Sequence, residues 1–294
     1  VSHRPHVVHC HDFLAQQSAL DLLPESKTSS SGKYYQKIIR WGYRQGDAFI
    51  SISKKTQSDL HTMLITKPKL SEVVYNGLNQ NFEPALDLIK VRTDLSNKFS
   101  IDLSQGFVLH VGGNSFYKNR LGVLEIYDQW CQDFKANIPL IMVGFAPTAE
   151  LLAFKDQAAF SNSIHFVVGV GDLDLQQFYQ AATVMLFPSL YEGFGWPIVE
   201  AMASGSLVIT TSEDPMQEVA GEAGFYISKK PLYDEEILAW KKNAAQVLDN
   251  IMRLSDEQRN QAVLKSIKRA QFFSTQGFLD SIEAIYKQLA LKNQ

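Results

Sequence analysis

Phe187-Pro188-Ser189-Leu190-Tyr191-Glu192-Gly193-Phe194-Gly195-Trp196-Pro197-Ile198-Val199-Glu200-Ala201-Met202-Ala203-Ser204-Gly205 is the stretch from which the rest of the chain can be read. The apolar run from Val184 to Phe187 enters it as a strand. Pro197 suits the first helical position, where a missing N–H does no harm, and Gly205 supplies a natural helix stop. Two glycines ahead of a helix N-terminus let backbone N–H groups come close to an anion, and the helix dipole favours negative charge there. A diphosphate is the natural guest. Glu192 stands at the loop entrance, and Glu200 is expected on the first turn of the helix, so both carboxylates can flank one crevice. Carboxylates accept hydrogen bonds from vicinal hydroxyls, and a nucleotide sugar offers two such sets, on its hexose and on its ribose. The plainer reading makes Glu200 a complement to the helix dipole and Glu192 a solvated loop acid. Gly-Phe-Gly between them, with proline at the helix start, favours the binding role.

Outward from this motif the pattern is regular. Strand-like runs are read at Phe107 to Val111, Leu140 to Val143, Ile164 to Val168, Val184 to Phe187, Leu207 to Thr211 and Phe225 to Ile227. They alternate with helical segments near Arg120 to Phe134, Thr148 to Ala158, Leu173 to Ala182, Pro197 to Ala203 and Pro215 to Val219. Such alternation is the signature of βαβ units and a parallel, doubly wound, Rossmann-like sheet, whose ligands bind beyond the carboxyl ends of the strands. Past Tyr233 the chain is helical, through Glu235 to Leu254, Asp256 to Phe273 and a last segment ending near Leu291. The earlier part carries fewer strands, at His6 to Cys10, Ala48 to Ile52 and Val73 to Tyr75, and Asn76 to Pro84 reads as a linker. Residues 1–84 are therefore expected to be the latter part of a first α/β domain that is incomplete in this chain.

The composition agrees with two globular domains. The chain has 294 residues, 45% of them apolar and 20% charged, enough to bury a sizeable core. A formal charge of −3 argues against a nucleic-acid binder held by a bulk basic surface. Cys10 and Cys131 stand far apart, so neither a disulfide framework nor a zinc knuckle is suggested, and a cytoplasmic setting fits best. No apolar run is long enough for a membrane span, and the first residues lack the apolar core of a signal peptide.

Three further groups invite a chemical reading. Lys118 follows the turn Gly112-Gly113-Asn114 and is expected to begin a helical segment, placing its ammonium before a distal phosphate. A fixed cation there stabilises the charge that accumulates as a glycosidic bond breaks. His9 and His11 share one side of a strand end, with Asp12 next. Sugar binding, metal ligation and ordinary polar strand-end roles are all open to them. Asp172-Leu173-Asp174 follows Gly171 and is read as a helix N-cap rather than a metal-binding D-x-D. Residues 33–44, from Lys33 to Arg44, are basic, aromatic and free of acids. They read as a surface helix packed by its aromatic face, with contact to anionic lipid headgroups or an acidic partner as the alternative.

Glu192 to Glu200 resembles the E-x7-E motif of the retaining family 4 (group 1) glycosyltransferases. The resemblance extends to His6-Val7-Val8-His9-Cys10-His11-Asp12, Phe49 to Ser53, Val73 to Gly77, His110-Val111-Gly112 with Lys118-Asn119, and Leu175 to Tyr179 with Ala181-Ala182. It implies a GT-B fold of two Rossmann-like domains with parallel sheets, shared with glycogen and sucrose-phosphate synthases. It implies residues 85–275 as the nucleotide-sugar domain and 276–294 as a helix crossing back to the first domain. By resemblance Glu192 holds the transferred sugar's hydroxyls, Glu200 holds the ribose, and the backbone of Gly193, Phe194 and Gly195 contacts sugar and phosphate. His11 is similar to the histidine that meets the donor sugar from the N-terminal side. Gly112, Gly113, Asn114 and Val170 fall on the donor-binding turns, although the family usually has an arginine where Gly113 stands. The implied reaction moves a hexose from a nucleoside diphosphate to an acceptor hydroxyl on a sugar, glycan or lipid-linked glycan, with retention and with neither metal nor cofactor. A non-catalytic nucleotide-sugar-binding module, such as one subunit of a split enzyme, is the rival reading. A related epimerase or phosphorylase is a further one.

Overall fold

The run Ala48-Phe49-Ile50-Ser51 is buried at every position, as a strand covered on both faces must be. In the computed structural model, which describes residues 6–78, 82–136 and 138–291, it is the central strand of a small parallel sheet. The chain divides into one unit of Val1–Asn79, Tyr191–Gly195 and Phe272–Gln294, and another of Gln80–Leu190 and Trp196–Gln271. Residues 79–81 of the expected linker, and 1–5 and 292–294 at the ends of the expected domains, lie outside the described residues.

In the first unit β1 (Val8–Cys10), β2 (Ala48–Ser51) and β3 (Leu70–Val73) pair in that order, with Val8 opposite Phe49 and Phe49 opposite Ser71. Alternation of side chains along β2 builds two cores. Phe49 packs with Cys10, Phe13, Leu60 and Met63 on one face, joining α1 (Leu14–Ala19) and α3 (Lys54–Met63) to the sheet. Ala48 and Ile50 pack with Leu70, Val74 and Ile285 on the other, and Phe278, Ile282 and Leu289 of the last helix, Thr275–Leu291, lie against that face. A helix more than two hundred residues downstream thus closes the core of the opening strands. Between β1 and β2 also runs α2 (Ser30–Tyr43), capped by the Ser29 side chain and with no buried residue.

The third strand corrects the reading at Val73 to Tyr75. The ladder runs over Leu70–Val73, because Leu70 enters the core, while Tyr75 leaves the sheet to pack edge-on against Phe272 and Phe273. Three helices went unread, α1, α3 and α4 (Leu88–Phe99); polar residues dilute their apolar spacing.

In the second unit six parallel strands, β4 (Val108–Gly112), β5 (Leu140–Gly144), β6 (Ile164–Val168), β7 (Val184–Phe187), β8 (Leu207–Thr211) and β9 (Phe225–Ile227), stand in the order β6-β5-β4-β7-β8-β9. Chain order runs outward from β4 to one edge and resumes at β7 on the other side. The reversal lies between β4 and β7, and at such a switch point the ligands of open parallel sheets bind beyond the carboxyl ends of the strands. Helices α5 (Arg120–Phe134), α6 (Ala149–Gln157), α7 (Asp172–Ala181), α8 (Trp196–Ala203) and α9 (Met216–Ala220) connect the strands, and α10 (Asp234–Met252) and α11 (Asp256–Gln271) complete the unit. A core of the second unit surrounds β4, β5 and β7 and takes in Trp130, Trp240 and Leu248 from α5 and α10. Cys10 and Cys131 are buried and unbridged. Among the described residues no helix is long and apolar enough to cross a membrane.

Candidate functional site

The two loops at the β4/β7 switch point are fastened to each other by hydrogen bonds. Asn119, in the left-handed region at φ 50°, caps α5 by accepting from the Gly122 N–H at 3.2 Å and donates through Nδ2 to the Pro188 carbonyl at 3.0 Å. The Leu190 N–H donates to the Tyr117 carbonyl at 2.7 Å. An asparagine tolerates αL because its short polar side chain bonds locally, so one residue both starts a helix and bolts two loops together.

Lys118 corrects one expectation. It does not begin a helix but ends a short 3₁₀ turn, Phe116–Lys118, immediately before Asn119. Its ammonium lies 5.3 Å from the Phe187 ring centre and 5.5 Å from that of Tyr117, so two aromatic faces hold the charge at the mouth of β7. Glu200 lies on the second turn of α8, which starts at Trp196, and not on the first as expected. Its Oε2 accepts a 2.7 Å hydrogen bond from the hydroxyl of Tyr179, a side chain with no solvent exposure. Burial raises the Glu200 pKa above the usual carboxylate range, opposed by the Tyr179 hydrogen bond and then by the Lys118 charge. Tyr179 is itself pushed well above the ordinary phenol, first by burial and then by Glu200. The Lys118 charge therefore bears on Glu200 within the second unit, while Tyr179 holds the carboxylate by a hydrogen bond.

The neighbouring turn is built by close backbone approach. A Cβ on Gly144, at φ 150°, would lie 2.0 Å from the Gly112 carbonyl oxygen, so only glycine lets the ends of β5 and β4 meet. Gly113 faces the Phe145 ring. Asn114 donates to the Ala146 carbonyl at 2.8 Å and accepts from Arg120 Nη1, which also donates to the Phe145 carbonyl at 3.0 Å. Arg120 is buried in this scaffold beside Phe166 rather than presented to solvent. Beneath the turn, buried His110 donates through Nδ1 to the Leu186 carbonyl at 3.0 Å, in the tautomer this contact requires. Burial drives its pKa down to about 3, against that hydrogen bond, with the Arg120 and Lys118 charges adding to the fall, so the ring is neutral. Val170 is half-buried after β6, and Gly171, not Asp172, occupies the N-cap of α7. This replaces the Asp172 cap reading: Asp172 and Asp174 sit in the first turn, and Asp174 pairs with Lys98 at 2.6 Å.

Within the first unit, the segment Tyr191–Gly195 meets the end of β1. A Cβ on Gly193 would lie 2.2 Å from the His11 carbonyl oxygen, and the Gly193 carbonyl accepts from Ser53 Oγ at 2.8 Å and Thr56 Oγ1 at 3.2 Å. Buried Phe194 packs edge-on to Phe273, Gly195 takes φ 100°, and Tyr191 donates to Glu25 at 3.1 Å. Glu192 is half-buried between these anchors. The His11 side chain is exposed, whereas His9 bonds the Tyr286 hydroxyl at 2.9 Å and is lowered in pKa by burial and then by His11. Asp12 accepts from the Leu14 N–H at 3.0 Å. Among the described residues no group of three or more His, Cys, Asp and Glu is arranged to hold a metal.

The structure thus brings Lys118, Glu200 and the Gly112–Asn114 turn together in the second unit, and His11 and Glu192–Gly195 together in the first. Sequence reasoning missed what Tyr179, Asn119, Ser53 and Thr56 do. Tyr179 lies in the last turn of α7, and nothing in its spacing marks a partner on α8.

A family profile described as "Glycosyl transferases group 1" matches residues 91–269, and one described as "Glycosyltransferase Family 4" matches residues 1–82. The O-antigen chain mannosyltransferase B of Escherichia coli is 34% identical over 122 residues, 41% of this chain and 32% of that protein. The MMP alpha-(1->4)-mannosyltransferase of Mycolicibacterium hassiacum is 25% identical over 247 residues, 83% of this chain and 55% of that protein. The chain therefore spans about a third to a little over half of the length of these curated relatives. The crystal structure of Anabaena Alr3699/HepE in complex with UDP and glucose superposes with a TM-score of 0.77 at 18% identity, over 97% of this chain and 72% of that one. With profiles matching both parts of the sequence and with a GT-B type α/β fold of parallel sheets, the chain belongs to the group 1, family 4 glycosyl transferases.

Proposed function

We propose that this chain is the donor-binding and catalytic part of a retaining hexosyltransferase that works at the cytoplasmic face of a membrane. It takes a nucleoside-diphosphate sugar and glycosylates a hydroxyl of a sugar, glycan or lipid-linked acceptor, without metal or cofactor. The observation that carries this reading is the Glu200 carboxylate, held by Tyr179, on the helix that follows the strand-order reversal, with the Lys118 cation fixed between Tyr117 and Phe187 at the same reversal. A cation and a hydrogen-bond acceptor at one crevice match the diphosphate and the ribose diol of one donor.

Lys118 bears on the distal phosphate, where negative charge grows as the glycosidic bond breaks, and its attraction is therefore larger in the transition state than in the ground state. Glu200, ionised, accepts from the ribose hydroxyls. Glu192 and His11 position the transferred hexose, and the loop amides near Gly193–Gly195 and the Gly112–Asn114 turn bind the donor's polar groups. Retention follows when the departing phosphate oxygen takes the acceptor proton on the same face, so Glu192 orients and does not attack. The names of the matched mannosyltransferases support a mannosyl donor.

Thermal melts with UDP, GDP and ADP, followed by transfer or hydrolysis of a labelled sugar of the stabilising base, test the reading. One nucleotide is expected to raise the midpoint, since a ligand bound only by the folded state stabilises it. Binding without turnover in the whole protein would assign the chain to a non-catalytic module, and no shift with any nucleotide would reject the donor site.

A further inference from the structure

We infer that helix α2 (Ser30–Tyr43) is a membrane-docking element that lays its exposed aromatic face on an anionic lipid bilayer. A helix of a water-soluble domain ordinarily turns one apolar stripe inward. In α2 no residue is buried, and the large apolar side chains face solvent: Tyr34 is 68% exposed, Tyr35 62%, Ile38 49% and Trp41 65%. Tyr34, Ile38 and Trp41 are spaced i, i+4, i+7 and form one stripe on the outer side. The expectation that this helix packs by its aromatic face is thereby corrected.

Charge selects the occupant. Residues 27–46 hold Lys27, Lys33, Lys37, Arg40 and Arg44 and no acid, within a chain of formal charge −3. Helical geometry puts Lys33, Lys37, Arg40 and Arg44 along one flank of the stripe. Lys33 is paired with Asp21 at 2.6 Å, and Arg44 is anchored on the Met63 carbonyl at 2.9 Å. Lys37 and Arg40 make no ion pair among the described residues. The Asp21 tie also brings the turn Leu20-Asp21-Leu22 to the start of the helix, adding two exposed leucines. Apolar body, Tyr and Trp with polar tips, and a cationic flank are what the bilayer interface takes up, while lysine stems reach back to the headgroups. A second copy packed antiparallel is the poorer fit, because that two-fold contact would set the basic flanks against each other. The inner side of α2 is fixed to its own unit through Gln16, which donates to the Gln36 carbonyl at 3.0 Å, so the outer face is held ready without rearrangement.

The test is co-sedimentation of the whole chain with vesicles of phosphatidylcholine alone and of phosphatidylcholine mixed equally with phosphatidylglycerol. Binding is expected to the mixed vesicles and to fall with added salt. The pair Lys37→Gln and Arg40→Gln should weaken it roughly 30-fold, from about 1 kcal/mol per cation near an anionic surface. Tyr34→Ser, Ile38→Ser and Trp41→Ser together should weaken it by at least about tenfold. Since these side chains are outside the core, unchanged melting and unchanged nucleotide-induced stabilisation are expected in both variants. Equal binding to neutral vesicles, vesicle binding insensitive to both variants, or a dimer that the triple variant dissociates while no vesicle is bound would each overturn the inference. The donor reading fails separately, through loss of the nucleotide shift in the wild type.

Discussion

The two groups of candidate site residues are held in different ways. In the second unit the charged side chains are held by other side chains: Tyr179 grips Glu200, and two rings frame Lys118. In the first unit backbone is held: the Gly193 carbonyl is bonded by Ser53 and Thr56, and its α-carbon lies against the His11 carbonyl. A side-chain cradle sets electrostatics and is adjusted by small substitutions. A backbone contact fixes position and yields only by being broken.

The largest effect that would sharpen this contrast is expected at Lys118→Ala. Loss of a cation that acts on developing charge should lower kcat by about 10²–10³ with a smaller change in KM. A change confined to KM would move Lys118 from transition-state stabilisation to ground-state binding. Gly193→Ala comes next. Its methyl group would overlap the His11 carbonyl, so the loop or β1 must shift, at about 1–3 kcal/mol of stability in a chemical denaturation curve. An unchanged curve would show that the backbone contact is soft, and the contrast would dissolve.

Tyr179→Phe removes one hydroxyl and keeps the ring. The nucleotide Kd should rise about tenfold, from the roughly 1.5 kcal/mol of a hydrogen bond to a charged group, with kcat little changed. The pH dependence tells this from mere loosening. Glu200 must be ionised to accept hydroxyl hydrogens, and burial raises its pKa, so binding should fade as pH falls through that raised value. Both Tyr179 and Lys118 oppose the rise, and removing either should move the acid limb to higher pH. For stability the sign is opposite: a carboxyl with a raised folded pKa withdraws stability as pH climbs through that value, and Glu200→Gln should flatten this slope. The smallest effect is expected at Ser53→Ala, which removes the α3 cap and one bond to Gly193, at about 1 kcal/mol in the same denaturation curve.

The same contrast explains how much could be read in advance. The six strands of the second unit were legible because buried parallel strands are continuous apolar runs, and Arg120–Phe134 was legible from its apolar spacing. The first sheet was harder, since Leu70-Ser71-Glu72-Val73 carries polar residues and the more strand-like Tyr75 turns away to an aromatic cluster. At the site, residue types announced themselves at Lys118, Glu192 and Glu200, but their neighbours did not. A pattern can show that position 193 needs glycine, yet not that the His11 carbonyl is what approaches it. The Tyr179–Glu200 bond joins two helices separated by a strand and a loop, and no local spacing encodes such a partner.

The packing of Thr275–Leu291 on the opening strands also bears on how the protein is made. During synthesis β1, β2 and β3 are made long before Phe278, Ile282, Ile285 and Leu289, so one face of their sheet stays wet until the helix Thr275–Leu291 has been made. The second unit has its own core and can consolidate first. The sheet of the first unit is thus begun before the second unit and completed after it, and its bare face is where a nascent-chain chaperone has most to cover.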